Sequence, residues 1–179
     1  KYVFYIFITL INYLPLVGLI FIILLDSYDD SSEKRHLKLA TLIVSQVVLL
    51  LSLINWILFN NSSIYFQFIQ QQDSITYYNI YLGVDGLSIF FILLTTIIAP
   101  IAIISNWKSI NQKIIYYLCI LSLLETLLLL IYTVLDLLMF YVFFESILAP
   151  LFILIGIFGS TEKQRASFYF FLYTFLGSL

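Results

Sequence analysis

The sequence predicts an all-α fold: a polytopic transmembrane helical bundle of about six spans, the last cut short. Three observations carry this. The 179 residues are 63% apolar and only 10% charged, whereas a soluble domain carries roughly 25% charged residues. The apolar residues gather into runs of about 20, the length that crosses roughly 30 Å of hydrocarbon at 1.5 Å rise per residue. Every Lys and Arg except Lys1, at the head of the first run, sits in or beside the polar stretches between those runs. A mean hydropathy of +1.07 leaves lipid as the solvent for most of the surface.

The first span is expected from Tyr2 to Leu25, where Asn12, Pro15 and Gly18 suit packing against other helices. A polar loop from Asp26 to Lys38 follows, then a second span from Leu39 to Phe59. The connection Asn60–Leu82 contains two stretches rich in Ile, Tyr and Phe, Ile64–Ile69 and Ile75–Tyr81, with polar residues 70–74 between them. That pattern predicts a short β-hairpin outside the membrane. The third span opens at Asp85-Gly86, with Asp85 placed to cap it, and runs to Ile104. The fourth is Ile114–Tyr132, and the fifth, after a tight turn, Leu135–Phe158. A loop from Gly159 to Arg165 leads to a sixth span beginning at Ala166. Residues 1–179 are thus expected to form a single membrane domain. The start at Lys1 and the stop at Leu179 inside an apolar run read as the limits of a fragment or a split gene.

Charge sets the expected orientation. Lys34, Arg35, Lys38, Lys108, Lys113, Lys163 and Arg165 fall on one side, leaving only Lys1 on the other. The positive-inside rule makes the basic side the cytoplasm or matrix. The N-terminus, the hairpin and the turn at Asp136 then share the opposite side.

Two acids lie inside spans. Glu125 is about twelve residues into the fourth and Glu145 about ten into the fifth, which places both near mid-bilayer. A charge there costs at least roughly 2.5–3.5 kcal/mol on insertion scales. Such a residue pairs with something or exchanges protons. Pro150 removes the helical partner of the Ser146 carbonyl, and Tyr141 shares the face of Glu145. These polar groups suit a proton-transfer role for Glu145. Glu125 is a second candidate, with Ser122 near enough in sequence to satisfy it locally. Asp136, at the head of the fifth span, is a third, with helix capping the competing role. His36 is read as solvated. Asp26, Asp29, Asp30 and Glu33 lack the spacing of a calcium loop. Thr174, Gly177 and Ser178 read as a small-residue packing face.

Other classes are excluded. No basic patch suits nucleic acid. One cysteine, Cys119, permits neither an internal disulfide nor a CxxC site, and reads as a packed apolar residue. The glycines form neither a dinucleotide-binding motif nor a P-loop. With one Cys and one His, no iron–sulfur cluster or bis-His haem can be ligated, and no metal site is expected.

The stretch LDLLMFYVFFESILAPLFILIGIFGS, Leu135 to Ser160, resembles the chain 4 family of mitochondrial NADH:ubiquinone oxidoreductase, respiratory complex I. YLGVDGLSIFFILLTTIIAPIAIISNW, Tyr81 to Trp107, is similar to that family's third span, RASFYFFLYTFLGSL to its sixth, and INYLPLVGLI to its first. Related antiporter-like chains share the plan but match these words less well. The resemblance implies a proton-translocating subunit of the membrane arm, in the inner mitochondrial membrane, with the N-terminus on the intermembrane side. It implies that Glu145, of the FFE motif, belongs to the proton pathway and pairs with a lysine on a seventh span absent from this chain. It also implies partners: the other membrane-arm subunits through the hairpin, the C-terminal remainder of the subunit, and lipid. NADH, FMN, iron–sulfur clusters and ubiquinone would belong to other subunits. Two other readings compete: a subunit of a cation/proton antiporter, and a membrane scaffold whose acids only bond between helices.

Overall fold

The computed structural model describes residues 2–28, 35–63, 65–72, 80–108, 110 and 113–178. It is a bundle of six helices with one two-stranded sheet: α1 (Tyr2–Tyr28), α2 (Arg35–Leu58), β1 (Gln67–Gln72), β2 (Ile80–Val84), α3 (Ser88–Ser105), α4 (Ile114–Thr133), α5 (Leu137–Phe158) and α6 (Lys163–Ser178). Among the described residues, α2, α3, α4 and α5 are each long and apolar enough to cross a membrane, and Ile8–Leu24 gives α1 a shorter apolar stretch. Their outward faces are apolar, with Ile57 and Leu137 among many exposed examples. The chain is a multi-pass membrane protein.

Several helices overrun the apolar runs that announced them. α1 continues through Asp26 to Tyr28, α2 starts at Arg35, and α6 starts at Lys163. Hydropathy marks the slab of hydrocarbon, whereas backbone hydrogen bonding carries a helix on into the interface. His36 therefore stands in the first turn of α2, exposed. The acids Asp29, Asp30 and Glu33 lie outside the described residues.

Helices α1 to α4 form a closed square: α1 packs on α2 and α4, and α3 packs on α2 and α4. α5 packs on α4 and α6 on α5. Polar residues lock the square from within. Asn12, fully buried, donates through Nδ2 to Thr133 Oγ1 at 3.1 Å. Ser52 and Thr96 share a hydrogen bond of 2.8 Å between α2 and α3. A Cβ added at Gly18 would lie 2.8 Å from Val44 Cγ1, so glycine is what lets α1 approach α2. Asn12 and Gly18 thus serve the contacts expected of them, and Pro15 is buried.

A hairpin exists, but its strands are shifted along the chain from the expected segments. β1 includes Gln70, Gln71 and Gln72, expected as turn, and β2 runs on to Val84. The strands pair antiparallel, Gln67 with Val84 and Gln72 with Ile80, with an irregularity between Gln67 and Gln70. Residues 73–79 lie outside the described residues. Burial chose the register: Phe68, Leu82 and Val84 sink into a core with Ile8, Ile11, Val48, Ile89, Ile92 and Leu129. β2 also meets the α4–α5 turn, through a bridge from Leu82 to Val134 and a 2.9 Å bond from Leu135 N–H to the Tyr81 carbonyl.

A second core, of Ile22, Leu37, Ile103, Ile114, Tyr117 and Leu118, fills the other end. Cys119 packs against it, half-buried. Here Lys38 Nζ donates to the Trp107 carbonyl at 2.6 Å and lies 5.7 Å from the centroid of its ring. Lys163 Nζ donates to the Ile157 carbonyl at 2.7 Å, and a cation suits the C-terminal end of α5.

Candidate functional site

Glu145 stands on α5 in a continuous helical stretch that includes Pro150. Its Oε1 accepts a hydrogen bond from the Ser178 hydroxyl on α6. Tyr141, one turn before it, lies beside Glu145 and Ser178. The expected neighbour Tyr141 is therefore present, and a partner from α6 joins it. The Ser146 hydroxyl takes no part: it is exposed and donates to the Val142 carbonyl at 2.7 Å. Among the described residues no basic side chain pairs with Glu145; the ion pair Arg165–Glu162 lies on an exposed helix end.

Of the expected small-residue face on α6, Ser178 meets α5 through Glu145. A Cβ added at Gly177 would meet no atom within 4 Å, and Thr174 spends its hydroxyl on the carbonyls of Phe170 and Phe171. The small residues that bring α5 and α6 together are Gly156 and Ser167, where a Cβ on the glycine would stand 3.5 Å from the serine oxygen. Ser167 is buried. An isolated Gly in one apolar run and a Ser at the head of the next were the available signal.

Glu125 sits inside the bundle on α4, with only 6% of its surface exposed. Its Oε1 has no hydrogen-bond partner. Ser122 does not satisfy that oxygen; its carbonyl instead accepts from Thr126 Oγ1 at 2.8 Å. Glu125 and Glu145 occupy separate surroundings on adjacent helices.

Asp136 caps α5, accepting from Leu138 N–H at 3.4 Å. Asp85 makes a stronger cap. Its Oδ1 accepts from Ser88 N–H at 2.6 Å, and its own N–H donates to Ser88 Oγ at 2.9 Å. This reciprocal pair is a capping box with serine in the place of the usual Glu or Gln. The Ser88 N–H holds the Asp85 carboxyl below its ordinary value of 3.8. Asp85, Asp136, β2 and the α4–α5 turn all lie at one end of the bundle, and Lys38 and Trp107 at the other. Among the described residues no group of three or more His, Cys, Asp and Glu could hold a metal ion.

Comparison with known proteins bears on this arrangement. Residues 134–179, which include the Glu145 cluster, match a transmembrane family described as NADH:quinone oxidoreductase/Mrp antiporter. Over 90% of its length the chain is 49% identical to an uncharacterized 50.9 kDa protein in ND4 intron 1 of Podospora anserina, covering 43% of that protein. It is 43% identical to NADH-ubiquinone oxidoreductase chain 4 of Mycosarcoma maydis over 96% of its length, covering 35% of the relative. With the Arabidopsis thaliana chain 4 the identity is 41% over 92% of the chain and 33% of the relative. The resemblance thus runs along nearly the whole chain and is not confined to its motifs, while the chain spans 33–43% of the length of these relatives.

Proposed function

We propose, proceeding from the similarity to NADH-ubiquinone oxidoreductase chain 4, that this chain is the N-terminal part of an antiporter-like, proton-translocating subunit of that complex. Residues 1–179 act as one membrane domain in the inner mitochondrial membrane. The basic ends of α2, α4 and α6 face the matrix, and the hairpin faces the intermembrane side with the N-terminus. The observation that carries this reading is Glu145, an acid within an apolar helix, inside the matched residues 134–179. It accepts a hydrogen bond from Ser178, with Tyr141 beside it and no cation among the described residues.

The mechanism follows from electrostatics. A lysine brought beside Glu145 from the C-terminal remainder of the subunit, in this chain or another, stabilises the carboxylate. Withdrawing that lysine lets Glu145 take a proton. Ser178 and Tyr141 hold the carboxylate in place through the exchange. The oxidoreductase activity belongs to the complex; NADH, FMN, iron–sulfur clusters and ubiquinone are assigned to other subunits. Partners of this chain are the other membrane-arm subunits, the remainder of its own subunit, and lipid. Glu125 and Asp136 are further candidates for the proton pathway.

Glu145→Gln in the assembled complex tests the reading, with NADH-driven proton uptake measured in liposomes beside quinone reduction. Coupled turnover should fall by roughly a hundredfold or more, the scale on which loss of a proton-transferring group acts, with assembly unchanged. Normal pumping would leave the chain a scaffold whose acids serve packing. A second reading, a stand-alone cation/proton antiporter, is favoured by the antiporters named with the oxidoreductases in the matched family. Isolation of the chain without redox subunits would support it.

A further inference from the structure

A cleft of about 290 Å³ opens between α2, α3 and α4, and the Glu145 cluster has no part in it. Glu125 lies in its wall, nine-tenths buried and with Oε1 unpartnered. Three hydroxyls of the lining, which also includes Ser122 and Tyr132, have already used their hydrogens. Thr41 donates to the Leu37 carbonyl at 3.0 Å, Ser45 to the Leu42 carbonyl at 2.9 Å, and Thr95 to the Phe91 carbonyl at 2.8 Å. Each bond runs back into its own helix, so the hydroxyls offer lone pairs to further partners. A carboxyl oxygen and hydroxyl lone pairs in one wall call for a small species that brings hydrogens.

Water meets that need. An apolar cavity of this size stays dry, but a water with two to four polar partners is retained, and each occupies about 30 Å³. We propose that the cleft holds water against Glu125 and makes its carboxyl a proton-exchanging site separate from Glu145. Tyr132 is the other titratable group in the lining, and no Lys, Arg or His of α2, α3 or α4 is among the lining residues. From α1, Tyr13 is the titratable residue among side chains 8–24, and it is exposed. From α5, Glu145 is engaged with Ser178 and Tyr141. The cleft's rim includes Leu94 and Ile98, both about half exposed on the apolar face of α3, so a lipid chain is the competing occupant. Use of this site in transport rests on the proposed function above; its hydration does not.

Infrared difference spectroscopy on the full chain in its native membrane assembly provides the test, comparing buffers in light and heavy water across pH. Subtracting the Glu125→Gln spectrum isolates the carboxyl band of this residue. That band should titrate, and it should shift within the time of buffer exchange. Ala99, half-buried in the cleft wall, gives an independent variant: Ala99→Leu fills the space and should slow the shift by roughly tenfold by displacing water. If Glu125→Gln does not assemble, the change between the native and Ala99→Leu chains carries the test. A band that never titrates, fails to exchange, or exchanges equally fast in Ala99→Leu overturns the proposal, the last two being the results for a dry or lipid-filled cleft. Loss of pumping in Glu145→Gln would not alter any of these readouts.

Discussion

Asp85 and Ser88 exchange two hydrogen bonds at the start of α3, and removing the acid removes the one its carboxylate accepts from the Ser88 N–H while the bond from the Asp85 N–H to Ser88 Oγ remains. Asp85→Ala should lower stability by about 1 kcal/mol, the usual worth of an N-cap, while Asp85→Asn should retain most of it. The pH dependence has a definite sign. The folded protein holds this carboxyl below its ordinary value, so its stabilising effect is complete above the ordinary carboxylate range. It is lost as pH falls through the lowered value. Thermal unfolding in detergent should show that loss in the native chain and not in Asp85→Asn. Ser178→Ala probes the other site: Glu145 loses the donor from α6, and proton uptake should fall less than in Glu145→Gln. Both intramembrane acids were legible in the sequence because an acid within an apolar run has few explanations. Their partners were not. Which residue of α6 meets Glu145 depends on how the two helices are rotated, and the sequence holds that only weakly. For the same reason the orphaned oxygen of Glu125 came to light only once α2 and α3 were in place around it.

The contacts between helices are decided at a few small residues. At Gly18 a methyl group would press on Val44, so Gly18→Ala should cost about 1–3 kcal/mol as overpacking does, read as a lower unfolding temperature. Gly156→Leu should instead push α6 away at Ser167 and weaken the hold of Ser178 on Glu145, a combination that coupled turnover would report. The helices themselves could be read from apolar length, but their ends shifted both ways: the backbone runs on past the apolar core at Arg35 and Lys163, while α3 and α5 begin at Ser88 and Leu137, after the expected Asp85 and Leu135. The hairpin was harder. Strand propensity drew attention to the Ile, Tyr and Phe residues, yet three consecutive glutamines complete β1. A ladder needs backbone groups, which glutamine supplies as well as isoleucine. The burial of Leu82 and Val84 in the bundle fixed the pairing, and that burial requires helices far away in the sequence.

Taken whole, the molecule separates its two ends by chemistry. The hairpin, the caps of α3 and α5 and the α4–α5 turn meet at one end, and at the other Lys38 binds the Trp107 carbonyl just past α3 and Lys163 the Ile157 carbonyl of α5. Cysteines introduced at Ser62 and at Lys108, both exposed, should react with an impermeant reagent from opposite sides of sealed vesicles, with Cys119 replaced by Ser as background. Labelling of both from one side would overturn the span order. The bundle is a closed square carrying an outlying pair, since α5 and α6 reach it through α4. That closure has a consequence in time. Asn12 finds Thr133 across 121 residues of sequence, and a ribosome adding about 5–20 residues per second needs on the order of ten seconds to make them. For that interval the first helix sits in the membrane with its amide unanswered, so a chaperone or insertase that shelters it should bind the nascent chain early and release it when α4 arrives.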